Sequence, residues 1–278
     1  MSRVAGIIGH PVAHSLSPIF QSAAFAHCGL DVAYERWDTP AEALGERIAA
    51  LRDDRCLGAN VTIPHKEAVI PYLDELAGHT GRVGAVNTIV NRDGRLVGYN
   101  TDAPGFVAAL KKEARFDPAG KHFYLAGAGG AARGIAFGLA DAAAYVTIAN
   151  RSSERARRLA DDVRAVNVDV EAVEPGGDLS DYDCVVNCTS VGMEGGPDPA
   201  GIPFDVAGLR PGALVIDIVY APEETPLLRA ARGRGLETLG GLPMLIYQGA
   251  LAFELWTGVS APVEVMFDAA RQALASRK

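Results

Sequence analysis

The chain has 278 residues, a formal net charge of -8 and a pI near 5.3. That acidity argues against a nucleic-acid surface as its main business and requires any phosphate binding to be local. Hydrophobic residues make up 49% and charged residues 22%, a globular composition that can bury a large core in two domains and holds no apolar run long enough to span a membrane.

The four cysteines, Cys28, Cys56, Cys184 and Cys188, offer only a C-x-x-x-C pair. This fits neither C-x-x-C zinc spacing nor a dense disulfide frame, so reduced thiols and a soluble cytoplasmic protein are expected. Residues 4–9 read as a short apolar strand running into His10-Pro11-Val12-Ala13-His14-Ser15-Leu16-Ser17-Pro18. Pro11 argues against a helix that would put both histidines on one face, as a metal pair needs. Ser15 and Ser17 precede a helix expected from about Pro18. Ser17 fits an N-cap, and the two hydroxyls beside free helical N–H groups equally make a small carboxylate-binding pocket; spacing leaves both readings open.

Strand and helix signals continue through 33–37 and 40–51 to Asn60-Val61-Thr62-Ile63-Pro64-His65-Lys66-Glu67. A strand is expected to end at Thr62 and a helix to start just after Pro64. Lys66 then falls in the first helical turn, where the dipole disfavours a cation, so it is either an exposed accident or a functional residue. Residues 84–88 form a turn into a strand, and Asn91-Arg92-Asp93-Gly94 signals a hairpin. The returning strand reaches Asn100-Thr101-Asp102 ahead of a helix that Asp102 could cap. Thr62, Lys66, Asn87, Asn100 and Asp102 thus collect at strand ends and helix starts, where α/β proteins place their sites.

Residues 121–155 read as strand, glycine turn, helix, strand. Gly127, Gly129 and Ala132 occupy the small positions of a G-x-G-x-x-G/A dinucleotide fingerprint. Gly127 allows the sharp turn, Gly129 allows close approach to a pyrophosphate, and the helix N-terminus favours its charge. After the second strand an NAD site usually carries Asp or Glu; here stand Asn150-Arg151-Ser152 and then Arg155. A guanidinium there pairs with a 2′-phosphate, which points to NADP, unless these arginines are only the solvated face of the next helix.

Alternation resumes with strands expected at 168–173, 184–187 and 213–218, a Gly- and Pro-rich loop at 194–203, and an apolar helix after Gly240-Gly241 that carries the polar Gln248. The nucleotide unit is expected to span 103–239, after a separate α/β unit.

HSLSP at 14–18, NVTIPHKE at 60–67, GAVNT at 84–88, GYNTD at 98–102, GAGGAAR at 127–133, NRS at 150–152, NCTSVGM at 187–193 and GLPMLIYQGALAFELWTG at 241–258 together resemble the shikimate dehydrogenase family, in its order and over essentially the whole chain. The resemblance implies two α/β domains: a discontinuous substrate domain of 1–102 and 240–278 and a Rossmann-type NADP domain of 103–239, with the active site in the cleft between them. It implies reversible NADP-linked interconversion of shikimate and 3-dehydroshikimate in aromatic amino-acid biosynthesis, by a monomer or homodimer that needs neither nucleic acid nor membrane.

Carried over by motif, Lys66 and Asp102 are the catalytic pair. Ser15 and Ser17 hold the substrate carboxylate with Tyr220, and Thr62, Asn87 and Gln248 bind ring hydroxyls. Gly127, Ala128, Gly129, Gly130, Ala131, Asn150, Arg151, Ser152, Arg155, Thr189, Gly241 and Met244 bind the cofactor. NRS stands for the usual NRT, and Phe20-Gln21-Ser22 for an apolar residue followed by His-Asn. A quinate-oxidising paralogue and a non-catalytic NADP-binding regulator on the same fold are the alternatives.

Overall fold

The computed structural model describes residues 2–165 and 169–276. The chain forms two compact units, Met1–Asp102 with Ile246–Lys278, and Ala103–Leu245. Among the described residues no helix is long and apolar enough to cross a membrane.

The first unit holds strands β1 (Arg3–Gly9), β2 (Val32–Asp38), β3 (Cys56–Val61), β4 (Glu75–Leu76), β5 (Thr88–Arg92) and β6 (Arg95–Tyr99), in the sheet order β2-β1-β3-β5-β6-β4. β1 pairs parallel with β2 and β3, while β3–β5 and β5–β6 are antiparallel. The parallel pairs need crossovers, which α1 (Ser17–His27) and α2 (Leu44–Ala50) supply. The β5–β6 hairpin turns on Asp93 (φ 53) and Gly94 (φ 85), the paired positive φ that this two-residue turn demands. Every residue of β3 is buried, as a strand covered on both faces must be. Ile8, Val61, Ile89 and Leu96 pack on one face with Leu44 and Ile48 of α2.

Between β4 and β5 in the chain, α3 (Thr80–Val83) ends on Gly84 at φ 64, which turns the chain toward β5. No α-helix forms after Pro64, contrary to the sequence reading. Residues 65–69 make turns ahead of a short 3₁₀ segment at Ile70–Tyr72. The Lys66 carbonyl accepts from Val86 N at 2.7 Å, which fixes that carbonyl to the loop before β5 rather than to a helical ladder.

The second unit is a fully parallel sheet of β7 (His122–Ala126), β8 (Tyr145–Ala149), β9 (Val170–Val173), β10 (Cys184–Asn187), β11 (Leu214–Asp217) and β12 (Glu237–Leu239). Its order β12-β11-β10-β7-β8-β9 is the dinucleotide-fold order 6-5-4-1-2-3, counting β7 as first. The helices are α4 (Asp102–Lys112), α5 (Gly130–Asp141), α6 (Ser153–Arg164) and α7 (Pro226–Gly233). Tyr124, Val185, Val215 and Leu227 form one of its cores. The strand expected from 168 begins at Val170; Val168 itself lies outside the described residues.

The chain then runs into α8 (Leu242–Thr257) and α9 (Val263–Ala275). From Ile246 onward these helices belong to the first unit. There α9 packs on α1, the Phe253 ring lies tilted against Phe25 with centroids 5.1 Å apart, and Trp256 Nε1 donates to Ile89 O at 2.9 Å. Gly58, at φ 142, makes room for that contact: a Cβ there would lie 2.0 Å from Ile89 O and 2.8 Å from Trp256 Nε1. All four cysteines are free, three of them buried.

Candidate active site

In the first unit the turn after β3 and the start of α4 bring Lys66 and Asp102 together. Lys66 Nζ donates to Asp102 Oδ2 at 2.6 Å, with side chains 13% and 5% exposed. A pair so buried needs its remaining lone pairs satisfied. Asn87 Nδ2 does this, donating to Asp102 Oδ1 at 2.9 Å.

Asn87 is the hub of the site. Its Nδ2 also lies 2.9 Å from Thr101 Oγ1 and 3.1 Å from Gln248 Oε1, giving three acceptors for two protons. Its Oδ1 accepts from Thr101 N at 2.7 Å, which fixes the amide's orientation. The backbone is equally constrained, since Asn87 O accepts from Val61 N at 2.8 Å and Asn87 N donates to Tyr99 O at 3.1 Å. Gln248 reaches this hub from α8, where it is a buried polar residue in an apolar helix.

Three residues to which sequence reading assigned no role complete the network. Asn60 Nδ2 donates to Thr88 Oγ1 at 3.1 Å, and Thr88 Oγ1 lies 3.2 Å from Thr101 Oγ1. Asn60, Thr88 and Thr101 are buried polar groups on adjoining strands or strand ends. The signal for them was an Asn inside an otherwise apolar strand, which a buried sheet tolerates only when hydrogen-bonded.

Beyond the C-terminal end of β1, Ser17 is the first residue of α1 and Leu16 takes the cap position, so Ser17 is not the N-cap that its spacing allowed. Ser15 Oγ accepts from Ser17 N at 3.2 Å, and the loop presents both hydroxyl-bearing residues at the helix start. Thr62 follows β3, half-buried, its amide donating to Ile8 O at 2.8 Å. The Asn100 side-chain amide donates to Ala85 O at 2.9 Å and so braces the loop before β5.

The second unit carries the residues expected to bind the nucleotide, and Tyr220. Gly127 has φ 120, and a Cβ on it would stand 3.0 Å from Cys188 O, where the sheet order reverses between β7 and β10. A Cβ on Gly129 would meet nothing within 4 Å. The open space over Gly129, with Gly130 and Ala131 opening the twelve residues of α5, fits a pyrophosphate on free helical N–H groups. Ala128 precedes Gly129 in the same turn. At the end of β8, Asn150 Nδ2 donates to Ser152 O at 3.0 Å, and Ser152 caps α6. Arg158 pairs with Glu154 at 3.0 Å, whereas Arg151 and Arg155 are exposed and make no ion pair among the described residues. These two cations suit a 2′-phosphate.

Thr189 follows β10, its Oγ1 donating to Asn187 Oδ1 at 2.7 Å. Asn187 Nδ2 in turn donates to Asp217 Oδ1 at 2.9 Å, and Thr225 Oγ1 to Asp217 Oδ2 at 2.7 Å. This buried triad ties the Thr189 loop to the one that carries Tyr220. Burial raises the Asp217 carboxyl above the usual carboxylate range, opposed by donors from Thr225, Val219 and Asn187. Gly241 is held against the backbone, since a Cβ there would lie 2.1 Å from Ile218 O, and Met244 is buried one turn into α8.

Residues 7–89 match the family model for the shikimate dehydrogenase substrate binding domain, 109–193 that for shikimate / quinate 5-dehydrogenase, and 241–271 that for the shikimate 5'-dehydrogenase C-terminal domain. The chain is 49% identical over 281 residues to a shikimate dehydrogenase (NADP(+)) of Symbiobacterium thermophilum, covering 98% of this chain and 95% of that one. Among solved structures, it is similar to shikimate 5-dehydrogenase from Thermus thermophilus in complex with NADP(H) and shikimate, with TM-score 0.89, 42% identity and coverage of 98% and 100%. A quinate dehydrogenase from Corynebacterium glutamicum in complex with NAD is also similar, with TM-score 0.88, 34% identity and coverage of 98% and 99%.

Proposed function

The chain belongs to the shikimate dehydrogenase family, and from that premise we infer that it interconverts shikimate and 3-dehydroshikimate with NADP, a step toward the aromatic amino acids. The observation that carries this reading is the buried Lys66–Asp102 pair, held by Asn87 beside the polar end of β3.

In this reading the first unit binds the substrate and the second the dinucleotide. NADP, when bound, supplies the hydride acceptor. In reduction the Lys66 ammonium donates its proton to the developing alkoxide and becomes the neutral amine; in oxidation that neutral amine takes the hydroxyl proton as hydride leaves the carbinol carbon of shikimate. Asp102, fixed at both oxygens, orients Lys66 and the reacting hydroxyl. Thr62, Asn87 and Gln248 hold the ring hydroxyls, with Asn87 exchanging one of its three internal acceptors for the substrate. Ser15, Ser17 and Tyr220 hold the carboxylate.

Gly127, Ala128, Gly129, Gly130 and Ala131 cradle the pyrophosphate, and Asn150, Arg151, Ser152 and Arg155 bind the adenosine 2′-phosphate. Thr189, Gly241 and Met244 border the rest of the cofactor. Arg151, with no acid at 150 or 151, favours NADP over NAD. Free thiols at all four cysteines suit a reducing cytoplasm.

The test is a steady-state assay that crosses shikimate and quinate with NADP and NAD at mildly alkaline pH. NADPH formation from shikimate is expected to dominate. Protein that binds shikimate yet forms no NADPH would refute the assignment, and faster turnover of quinate would transfer it to the quinate-oxidising branch.

A further inference from the structure

β2 places a second layer of side chains behind Ser15 and Ser17. Tyr34 and Arg36 stand two apart on that strand and so lie on one face. Opposite Tyr34 the sheet row continues through Ala5 and Gly58, both small, which leaves room for the phenol to cross β1. Its hydroxyl donates to Asn60 Oδ1 at 2.7 Å. The Asn60 amide cannot turn away, because its Nδ2 donates to Thr88 Oγ1 at 3.1 Å.

With its proton committed to Asn60, the phenol oxygen is left to accept; burial pushes the phenol's pKa up, and the Ser17 hydroxyl beside it opposes that rise. Ser17 is only 2% exposed, so the phenol stands on the protein side of its hydroxyl. A hydroxyl has one proton and two lone pairs, and its proton can pass from the phenol oxygen to a bound carboxylate without the serine oxygen moving. Two residues along the strand, Arg36 Nη2 donates to Ser15 O at 2.9 Å. Ser15 Oγ accepts from Ser17 N within the turn, so the bond from Arg36 braces both serines.

We propose that Tyr34 and Arg36 are positioning residues for carboxylate recognition: they hold the Ser15–Ser17 turn in its anion-accepting conformation, and Arg36 adds positive charge beside it. This rests on the shikimate dehydrogenase reading above and deepens it. Burial of Tyr34 disfavours its phenolate, so the phenol stays neutral. The same side chain reaches the catalytic end through Asn60, which also donates to Asn87 O at 3.3 Å. Substrate carboxylate and reacting hydroxyl are thereby referred to one rigid frame.

The test compares Tyr34→Phe, Arg36→Gln and the unaltered enzyme on shikimate and on its methyl ester, which lacks the anionic carboxylate. Tyr34→Phe keeps the ring that packs 6.1 Å from Trp256, and Arg36 is exposed, so the second variant leaves the core intact even if the first proves too unstable to assay. KM for shikimate is expected to rise about fivefold to tenfold in each variant, as for loss of one hydrogen bond to an ion-binding group. kcat should stay within about twofold, and KM for the ester should move by less than about twofold. An equal rise on the ester, unchanged KM in both variants, or a loss confined to kcat would overturn the inference while leaving the enzyme assignment standing. Unaltered protein that does not oxidise shikimate would overturn both.

Discussion

Replacing Lys66 with Met probes the buried pair directly. Exposed ion pairs are worth about 0–1 kcal/mol, but at 2.6 Å with side chains 13% and 5% exposed this pair belongs to the buried class. Removing one partner of a buried pair costs about 3–5 kcal/mol, because the other charge is stranded. Asp102 is not stranded completely: Asn87 Nδ2 still donates to Oδ1 at 2.9 Å. A hydrogen bond to a charged group is worth about 1.5–3 kcal/mol, so the expected loss falls to about 1.5–2 kcal/mol. Asp102→Asn keeps an acceptor and removes the charge that Lys66 needs. In urea unfolding the double variant should therefore be more stable than the sum of the single losses predicts, with a coupling of about 1.5–2 kcal/mol. Turnover of shikimate by Lys66→Met should fall about a thousandfold, as for loss of a general acid–base group. Additive stability losses, or near-normal turnover without Lys66, would refute both the energetic and the chemical reasoning.

Arg151→Ala should weaken NADP by about 1.5–3 kcal/mol, or one to two decades in affinity, and leave NAD nearly unchanged in direct titrations; equal weakening would make Arg151 structural. Gly129→Ala should leave the melting temperature unchanged and raise KM for NADP, since the added methyl enters open space where the pyrophosphate is assigned. Gly127→Ala, at φ 120 and 3.0 Å from Cys188 O, should instead lower stability by about 1–3 kcal/mol. For Asp217 the folded chain binds the carboxyl proton more tightly than the unfolded chain, because burial raises its pKa. That contribution is complete below the ordinary carboxylate range and is lost as pH rises through the folded value. Stability of the unaltered protein relative to Asp217→Asn should therefore decline from acid toward neutral pH in urea titrations, and a difference that grows with pH would refute the assignment.

Local signals carried the nucleotide half. A glycine turn between strand and helix, and the basic end of β8, are set by short-range sterics and charge, so Gly127, Gly129 and Arg151 could be read from their neighbours alone. The hairpin at Asp93 and Gly94 was legible for the same reason. The helix expected after Pro64 was not formed, because the Lys66 carbonyl is tied to Val86, twenty residues on, by a bond that no local pattern encodes. The same limit hid Asn60, Thr88 and Thr101: each reads as an ordinary polar residue in or just past a strand until the β3–β5–β6 register brings them together.

By itself the sequence determined the alternation of strands and helices and the glycine turn, and its motifs named the side chains proposed to carry the chemistry. Only the tertiary structure decided that Asn87 anchors Asp102, that Gln248 returns from α8 to the same hub, and that Tyr34 and Arg36 stand behind the serine turn. The physical reason is the range of the interactions. Turn and helix preferences are fixed within a few residues, whereas a buried hydrogen bond is specified by whichever distant group the packed core delivers to it.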